Sequence, residues 1–412
     1  MGGLSRKAQQ ISLLGNKDIS PAILLDAGNV LFKQPVIARS QELLTASGMM
    51  NIYQQMGYDA VAVGPHDVAA GIAFLKTGQA RNFPWLSANL TDKDHAPIFP
   101  GNRILQRGAM RIGVIGLTGP LPKTSRETLV ADWRKVLPEH LAQVAKQCQL
   151  IIVLSSLSAE DNAEITRQYP QINLLITADL RQGNIDPQLD NKTLITQTMG
   201  QGKYLGMLNL DWIPGSSWAG TRKQEPNTSS YAGSFIALGK NIAEDPKIAA
   251  RVDQIKEQIV THNKKTAANA SISNTSEDKA MAGLAGSSSC RECHPLQSGF
   301  WRSTRHSEAY TALQQQQQNF NLDCLPCHTT GNRPLPKATA PPVETLLTLP
   351  SDLQAVGCET CHGAGLAHAK SPKQIKLRGK VEEKTCVVCH TKERDPLFDY
   401  RRKIDMVSCP AG

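Results

Sequence analysis

The sequence predicts an α/β chain in three parts: a layered α/β domain over residues 1–245, a helix and flexible linker over 246–286, and a loop-rich, mostly α module over 287–412. Three observations carry this reading. Apolar β-type runs alternate with helical patterns through the first part. Composition then shifts to Ser, Ala, Gly and Asn at Asn269–Ser289. Beyond that stretch come four close-set cysteine pairs, with few long runs of strand or helix periodicity.

Taken in order, the β-type runs are Ala22–Leu25, Ala60–Val63, Arg111–Leu117, Leu150–Leu154, Asn173–Thr177 and Tyr204–Leu210. Several are almost continuously apolar, as strands buried on both faces are. Helical patterns fall between them, at Val36–Gln55, Val68–Leu75 and Trp133–Cys148. Such alternation predicts packed layers of sheet and helix. Residues 244–264 read as a charged amphipathic helix, and Asn269–Ser289 as a flexible linker. The last module begins near Ser287. Its Gln314–Gln318 run extends a surface helix or loop, and Ala338–Val343, with Pro341 and Pro342, reads as an extended spacer.

The four cysteine pairs are Cys290-Arg291-Glu292-Cys293-His294, Cys324-Leu325-Pro326-Cys327-His328, Cys358-Glu359-Thr360-Cys361-His362 and Cys386-Val387-Val388-Cys389-His390. Each is C-x-x-C-H, the c-type haem attachment pattern. Two cysteines three apart share one side of a helical turn, so both sulfurs reach the vinyl groups of one haem. The next residue, His, is held against the iron. Two four-cysteine zinc sites would also use paired cysteines, but need no His after every pair. A thioredoxin-like motif occurs once, near a βαβ pattern. Disulfides are disfavoured because these pairs already use eight of the ten cysteines.

The pattern therefore predicts four covalent haem c groups. Cys290, Cys293, Cys324, Cys327, Cys358, Cys361, Cys386 and Cys389 attach them, and His294, His328, His362 and His390 are the proximal ligands. So short a module has no room for a conventional core, and the porphyrins supply its apolar interior. Each iron needs a second ligand or stays open. His306 and His368 lie within a few residues of attachment motifs and are the expected distal ligands. Two irons then lack an obvious partner. Met406, Cys409, His262 or a neighbouring subunit are candidates, and an iron with none is five-coordinate.

At 412 residues the chain is long enough for two or three domains. Its formal charge is +9. Residues 285–412 hold 16 Lys and Arg against 12 Asp and Glu, so about half of the excess lies there, spread over loops. That argues against nucleic-acid binding and leaves open a docking surface for an acidic redox partner. No stretch of 18 or more apolar residues exists, so no membrane span is expected. Met1–Lys7 lacks the apolar region of a signal peptide. Covalent haem is attached after export, so the expectation is a periplasmic or extracellular protein whose leader is missing from this sequence.

Two resemblances follow from longer motifs. Residues 287–402 resemble the multihaem cytochromes of the nitrifier tetrahaem type. The match rests on Trp301–Ala309 as W-x4-H-x-x-A, on Cys327-His328-Thr329-Thr330-Gly331, on Cys358–Gly365 with His368 after it, and on Phe398-Asp399-Tyr400. That resemblance implies close-packed haems, some with two His ligands and sometimes one open. It implies electron carriers, filament subunits or haem reductases. Family members often carry a His after the last segment, where this chain has Met406 and Cys409.

Residues 1–250 resemble the 5′-nucleotidase branch of the metallophosphoesterases. Leu25-Asp26-Ala27-Gly28-Asn29 fits D-A-G-D, and Gly57–Asp67 fits G-Y-D-A…G-N-H-E/D. Ser87-Ala88-Asn89 and Ile112–Thr118 also fit. In that family two metals held by Asp, Asn and His activate a water for phosphoester hydrolysis. Here Asn29 stands for the bridging Asp, Pro65 for the Asn of G-N-H, and Ser156 for the His of S-H-L. Ala178-Asp179-Leu180-Arg181 stands for G-H-x-H, and the first D-x-H would precede Gly2. His66, with Asp67 beside it, remains. The resemblance thus implies the fold of a phosphoesterase and the loss of its hydrolysis.

The expected protein is an exported tetrahaem cytochrome that passes electrons between redox partner proteins, with a degenerate phosphoesterase-like domain in front. Two alternatives stay open. One is a haem-dependent oxidoreductase acting on a small nitrogen or sulfur compound at an open iron. The other is a homo-oligomer or extracellular filament in which a neighbouring chain completes ligation.

Overall fold

The computed structural model describes residues 3–15, 22–79, 81–122, 128–219, 227–273, 283–331, 343–392 and 394–410. The chain divides into two compact units, Met1–Ile255 and Lys256–Gly412.

Unit 1 is built around stacked sheets. Its first elements are α1 (Leu4–Gly15), β1 (Leu25–Asp26), α2 (Gln41–Met56), β2 (Ala60–Ala62), α3 (Ile72–Gln79) and β3 (Trp85–Leu86). Then come β4 (Leu90–Asp92), β5 (Asn102–Arg107), β6 (Met110–Leu117), β7 (Thr128–Val130), α4 (Trp133–Ala145), β8 (Leu150–Ser155), α5 (Ala159–Gln168) and β9 (Leu174–Thr177). The last strands are β10 (Ile185–Asp190), β11 (Thr193–Gln197), β12 (Tyr204–Asp211) and β13 (Ser230–Ala237). A six-stranded sheet has the order β10-β11-β9-β8-β6-β5, and β1-β2-β3 form a second, parallel sheet. In the larger sheet β6, β8, β9 and β11 are parallel, and the antiparallel strands β5 and β10 close its edges.

The central strand β8 shows why the layers form. All six of its residues are buried, and alternate side chains face opposite ways. Ile152 and Leu154 pack in a core with Ala60, Ala62 and Leu86 of the small sheet. Ile151 and Val153 pack instead with Leu137, Leu141 and Val144 of α4 and Ile165 of α5. A continuous apolar run is thus a strand covered on both faces. Asp132 and Ser158 cap α4 and α5 by accepting from the Arg134 and Asp161 amides.

Each of the six β-type runs holds a strand, although Ala22–Leu25 contributes only its last residue to β1. The helices differ more. α2 begins at Gln41, five residues later than the pattern at Val36. The run at Val68–Leu75 is two elements, because Gly71 at φ 79° ends a 3-10 turn at Asp67–Ala70 before α3 starts.

The helix read at 244–264 is α6 (Pro246–Ser273), with Ile248, Val252, Ile255 and Ile259 buried on one stripe. It runs five residues into the stretch read as linker. Ala267 and Ala268 lead helix into that stretch, and Ala270 within it favours helix too. At the far end of that stretch helix begins at Ser287, where the last module was read to begin. Residues 274–282 lie outside the described residues.

Unit 2 contains only short helices besides its part of α6, and no strand among the described residues. They are α7 (Ser287–Arg291), α8 (Pro295–Arg302), α9 (Ala309–Gln315), α10 (Leu325–His328), α11 (Cys358–His362), α12 (Leu366–Lys370), α13 (Glu383–Cys386) and α14 (Tyr400–Lys403). Its apolar cluster is small: Leu313, Leu322, Leu325, Leu346, Leu349 and Leu353. The glutamine run begins in α9 and leaves it after Gln315. The spacer at Ala338–Val343 lies outside the described residues except for Val343, which opens a 3-10 helix. Among the described residues no helix is long and apolar enough to cross a membrane.

Candidate functional site

Each cysteine pair sits on or beside a helical turn. Motif 1 runs from α7 into the N-terminus of α8, and the His294 amide donates to the Cys290 carbonyl at 2.9 Å. Motif 4 repeats this at the end of α13, where His390 N–H donates to Cys386 at 2.9 Å. Motifs 2 and 3 are themselves the short helices α10 and α11. Pro295 starts α8 directly after His294 at a position where its missing N–H costs nothing.

The motifs are brought together in two pairs. The Cys290 and Cys358 sulfurs lie near one another, and so do those of Cys327 and Cys389. Within each pair the neighbouring sulfur favours the thiolate on one member, Cys327 beside Cys389 and Cys358 beside Cys290. Motif 1 therefore adjoins motif 3, and motif 2 adjoins motif 4.

Four of the histidines are oriented by their Nδ1 atoms. His328 Nδ1 meets the Ala309 carbonyl at 2.6 Å, His362 Nδ1 that of Arg378 at 2.6 Å, and His368 Nδ1 that of Ile375 at 2.5 Å. His390 Nδ1 meets Asp395 Oδ2 at 2.8 Å, and Phe398 stacks on its ring at 4.6 Å. A carbonyl can only accept, so Nδ1 carries the proton and Nε2 keeps its lone pair. That is how metal-binding histidines are prepared.

Two pairs of imidazoles face each other. The ring centres of His294 and His368 are 6.2 Å apart, with planes at 28°. Those of His306 and His390 are 6.3 Å apart, at 56°. A His nitrogen binds a transition metal at about 2 Å, and the ring centre lies about 1.1 Å behind it. One ion shared by two imidazoles thus separates their centres by about 6.3 Å. The spacing of each pair fits an iron between its two rings. Apolar side chains also lie exposed beside the motifs, with Leu296 69%, Val388 56% and Leu397 88% exposed, which suits a porphyrin face. Burial pushes the His306 imidazole down, and His390 beside it acts the same way. This favours the neutral, ligating form.

His328 and His362 are placed differently. Among the described residues no second imidazole faces either one in this manner. His262 lies within α6, Met406 is 64% exposed, and Cys409 is exposed near the chain end.

Sequence reasoning missed Glu359. Its carboxylate is buried and accepts from Ala285 N at 2.8 Å, Gly286 N at 2.9 Å and Gly365 N at 2.6 Å. The first two lead into motif 1 and the third into α12 with His368. One carboxylate thus ties the two chain segments that carry a facing pair. Asp395, five residues after His390, had a readable signal as a charged partner for the last motif's His.

In unit 1 the positions read as replaced metal ligands are engaged in hydrogen bonds, several of them between separate loops. Asn29, at φ 60°, donates from Nδ2 to the Ala178 carbonyl and accepts from the His66 amide at Oδ1. Asp67 accepts from the amides of Asn29, Val30, Leu31 and Gly64 at 2.7–2.8 Å. Ser156 Oγ accepts from Gly119 N, and Arg181 is held bidentate by Asp179.

The family described as cytochrome c554 and c-prime matches residues 289–363. Cytochrome c-554 of Nitrosomonas europaea is 29% identical over 120 residues, which is 24% of this chain and 48% of that protein. The chain joins a 5′-nucleotidase-like domain to a cytochrome c554-like segment. The snake venom 5′-nucleotidase of Gloydius brevicauda is 26% identical over 293 residues, covering 64% of this chain and 47% of that enzyme. The chain thus spans about half the length of the curated relatives it matches. A 5′-nucleotidase precursor from Thermus thermophilus superimposes with a TM-score of 0.52 at 19% identity, over 63% of this chain and 53% of that one. The sulfate thiohydrolase SoxB of the same organism gives 0.51 at 17%, over 62% and 46%. These two structures share the layered α/β fold of unit 1.

Proposed function

We propose that the protein is a tetrahaem c-type cytochrome, working in the periplasm or outside the cell, that passes electrons between redox partner proteins. The observation that carries this is the pair of facing imidazoles, His294 with His368 and His306 with His390, each spaced for one iron. Haem c supplies a one-electron couple when bound. Cys290, Cys293, Cys324, Cys327, Cys358, Cys361, Cys386 and Cys389 would hold four such groups. His294, His328, His362 and His390 are the proximal ligands, with His368 distal at motif 1 and His306 distal at motif 4. The protein's own part is to fix the imidazoles, exclude other ligands and keep the motif pairs adjacent. Unit 1 has the fold of a phosphoesterase, but its surviving His66 and Asp67 do not make a two-metal site. It serves docking or assembly.

A second reading rests on His328 and His362, which face no second imidazole among the described residues. An open iron there would bind a small nitrogen or sulfur compound and make the protein an oxidoreductase. Ferric electron paramagnetic resonance on the haem-loaded protein separates the two. The first reading expects low-spin signals from every haem, with distal ligands at motifs 2 and 3 drawn from Met406, Cys409, His262 or a neighbouring chain. A high-spin fraction that shifts on adding nitric oxide selects the oxidoreductase. High-spin signals from all haems would overturn the pairing at motifs 1 and 4.

A further inference from the structure

Between Thr360 and Val381 the chain has no acidic residue and five cations: Lys370, Lys373, Lys376, Arg378 and Lys380. All five are exposed. Among the described residues none of them forms an ion pair within 4.0 Å; the nearby Glu382 pairs with Lys384 and feels Arg378 and Lys380 more weakly. The segment is nevertheless well anchored. The Ile375 carbonyl holds His368 at 2.5 Å, the Arg378 carbonyl holds His362 at 2.6 Å, and the Val381 carbonyl accepts from Tyr400 OH at 2.6 Å. A basic strap thus lies directly against one His of motif 1's facing pair and the His of motif 3.

We infer that residues 370–380 form the docking surface for a redox protein with an acidic face, and that electrons cross at the motif 1 and motif 3 end of unit 2. The inference rests on the tetrahaem reading. A fixed cluster of unpaired cations raises the local concentration of anions and orients an acidic partner, chiefly through the association rate. Its placement is what matters, because the same backbone that carries the charges grips the imidazoles. An anionic membrane fits less well. The strap is not an amphipathic helix, and its exposed large apolar side chain is Ile375, so it lacks the apolar face that such segments insert.

The test uses the haem-loaded full chain, with haem content measured first by mass. Lys370, Lys373, Lys376 and Lys380 are changed together to Glu. As a control, the exposed Lys93, Lys135, Lys146 and Lys192 of unit 1 are changed to Glu, giving the same change of net charge. Oxidation of the reduced protein by hexacyanoferrate(III) is followed by stopped flow at rising ionic strength. Each hexacyanoferrate(III) takes one electron from one ferrous haem and becomes hexacyanoferrate(II). The strap variant should slow about tenfold or more at low salt, the control less than about twofold, and the difference should vanish at high salt. Poly-L-glutamate should inhibit the wild type and not the strap variant.

Equal slowing of both variants, or none, overturns the inference while a haem content of four leaves the tetrahaem reading standing. Strap-dependent binding to phosphatidylserine vesicles without inhibition by poly-L-glutamate also overturns it, in favour of a membrane surface. Absence of haem removes the tetrahaem reading itself.

Discussion

At the scale of single residues, two buried carboxylates do different work. Glu359 gathers three backbone amides from the segments that bring His294 and His368 together. Hydrogen bonds to a buried charge are each worth about 1.5–3 kcal/mol. Glu359→Gln, which keeps the shape and loses the charge, should cost about 3 kcal/mol in chemical denaturation. It should also raise a high-spin signal from motif 1 that Glu359→Asp restores only in part. A stability loss with unchanged spin state would reduce Glu359 to a packing role. Asp67 is the second case. Burial pushes its carboxyl up to about 7, against the amides of Leu31, Gly64 and Asn29. Four amide donors on its two oxygens oppose that burial and suit the carboxylate. Asp67→Asn turns an amide NH2 group toward some of those donors and should lower stability by about 1–3 kcal/mol, read from the urea midpoint, and an unchanged midpoint would contradict this. Neither role was legible in the sequence. Glu359 sits inside an attachment motif that explains itself without it, and its partners come from 73 and 74 residues away.

At the scale of elements, β6 shows how two layers are held against one sheet. Gly113 and Gly116 lie on opposite faces of the strand. A Cβ at Gly113 would meet Val144 of α4 at 2.7 Å, and one at Gly116 would meet the Leu86 carbonyl of the small sheet at 2.6 Å. Gly113→Val and Gly116→Val should each destabilise unit 1 by about 1–3 kcal/mol, read from denaturant midpoints. A neutral result at both positions would contradict the layered packing. Strands such as β8 were legible because burial on both faces leaves an unbroken apolar run. β5 and β10 were not: they are edge strands with mixed burial, and Ile185–Asp190 carries Pro187 and two aspartates that read as loop. The stripe of α6 was legible from its isoleucine and valine spacing. Its extension to Ser273 was hidden because Ala, Asn and Ser suit a linker as readily as a helix end.

At the scale of the whole molecule, the two units carry different kinds of evidence. In unit 2 the candidate residues were legible in the sequence, since four C-x-x-C-H repeats and two further histidines name them. Which His faces which was not, because 74 residues separate His294 from His368 and 84 separate His306 from His390. In unit 1 the fold was legible from the family resemblance. Purified protein supplied with manganese, zinc or cobalt should show no phosphoester hydrolysis above background, and metal-dependent turnover that Asp67→Asn abolishes would contradict this. The central claim concerns covalent haem, and the most direct test is the intact mass of the exported protein after denaturation. The account expects the polypeptide plus four haems, falling to three when the cysteine pair of a single motif is changed to Ser. A mass equal to the bare polypeptide, with zinc retained under native conditions, would contradict it.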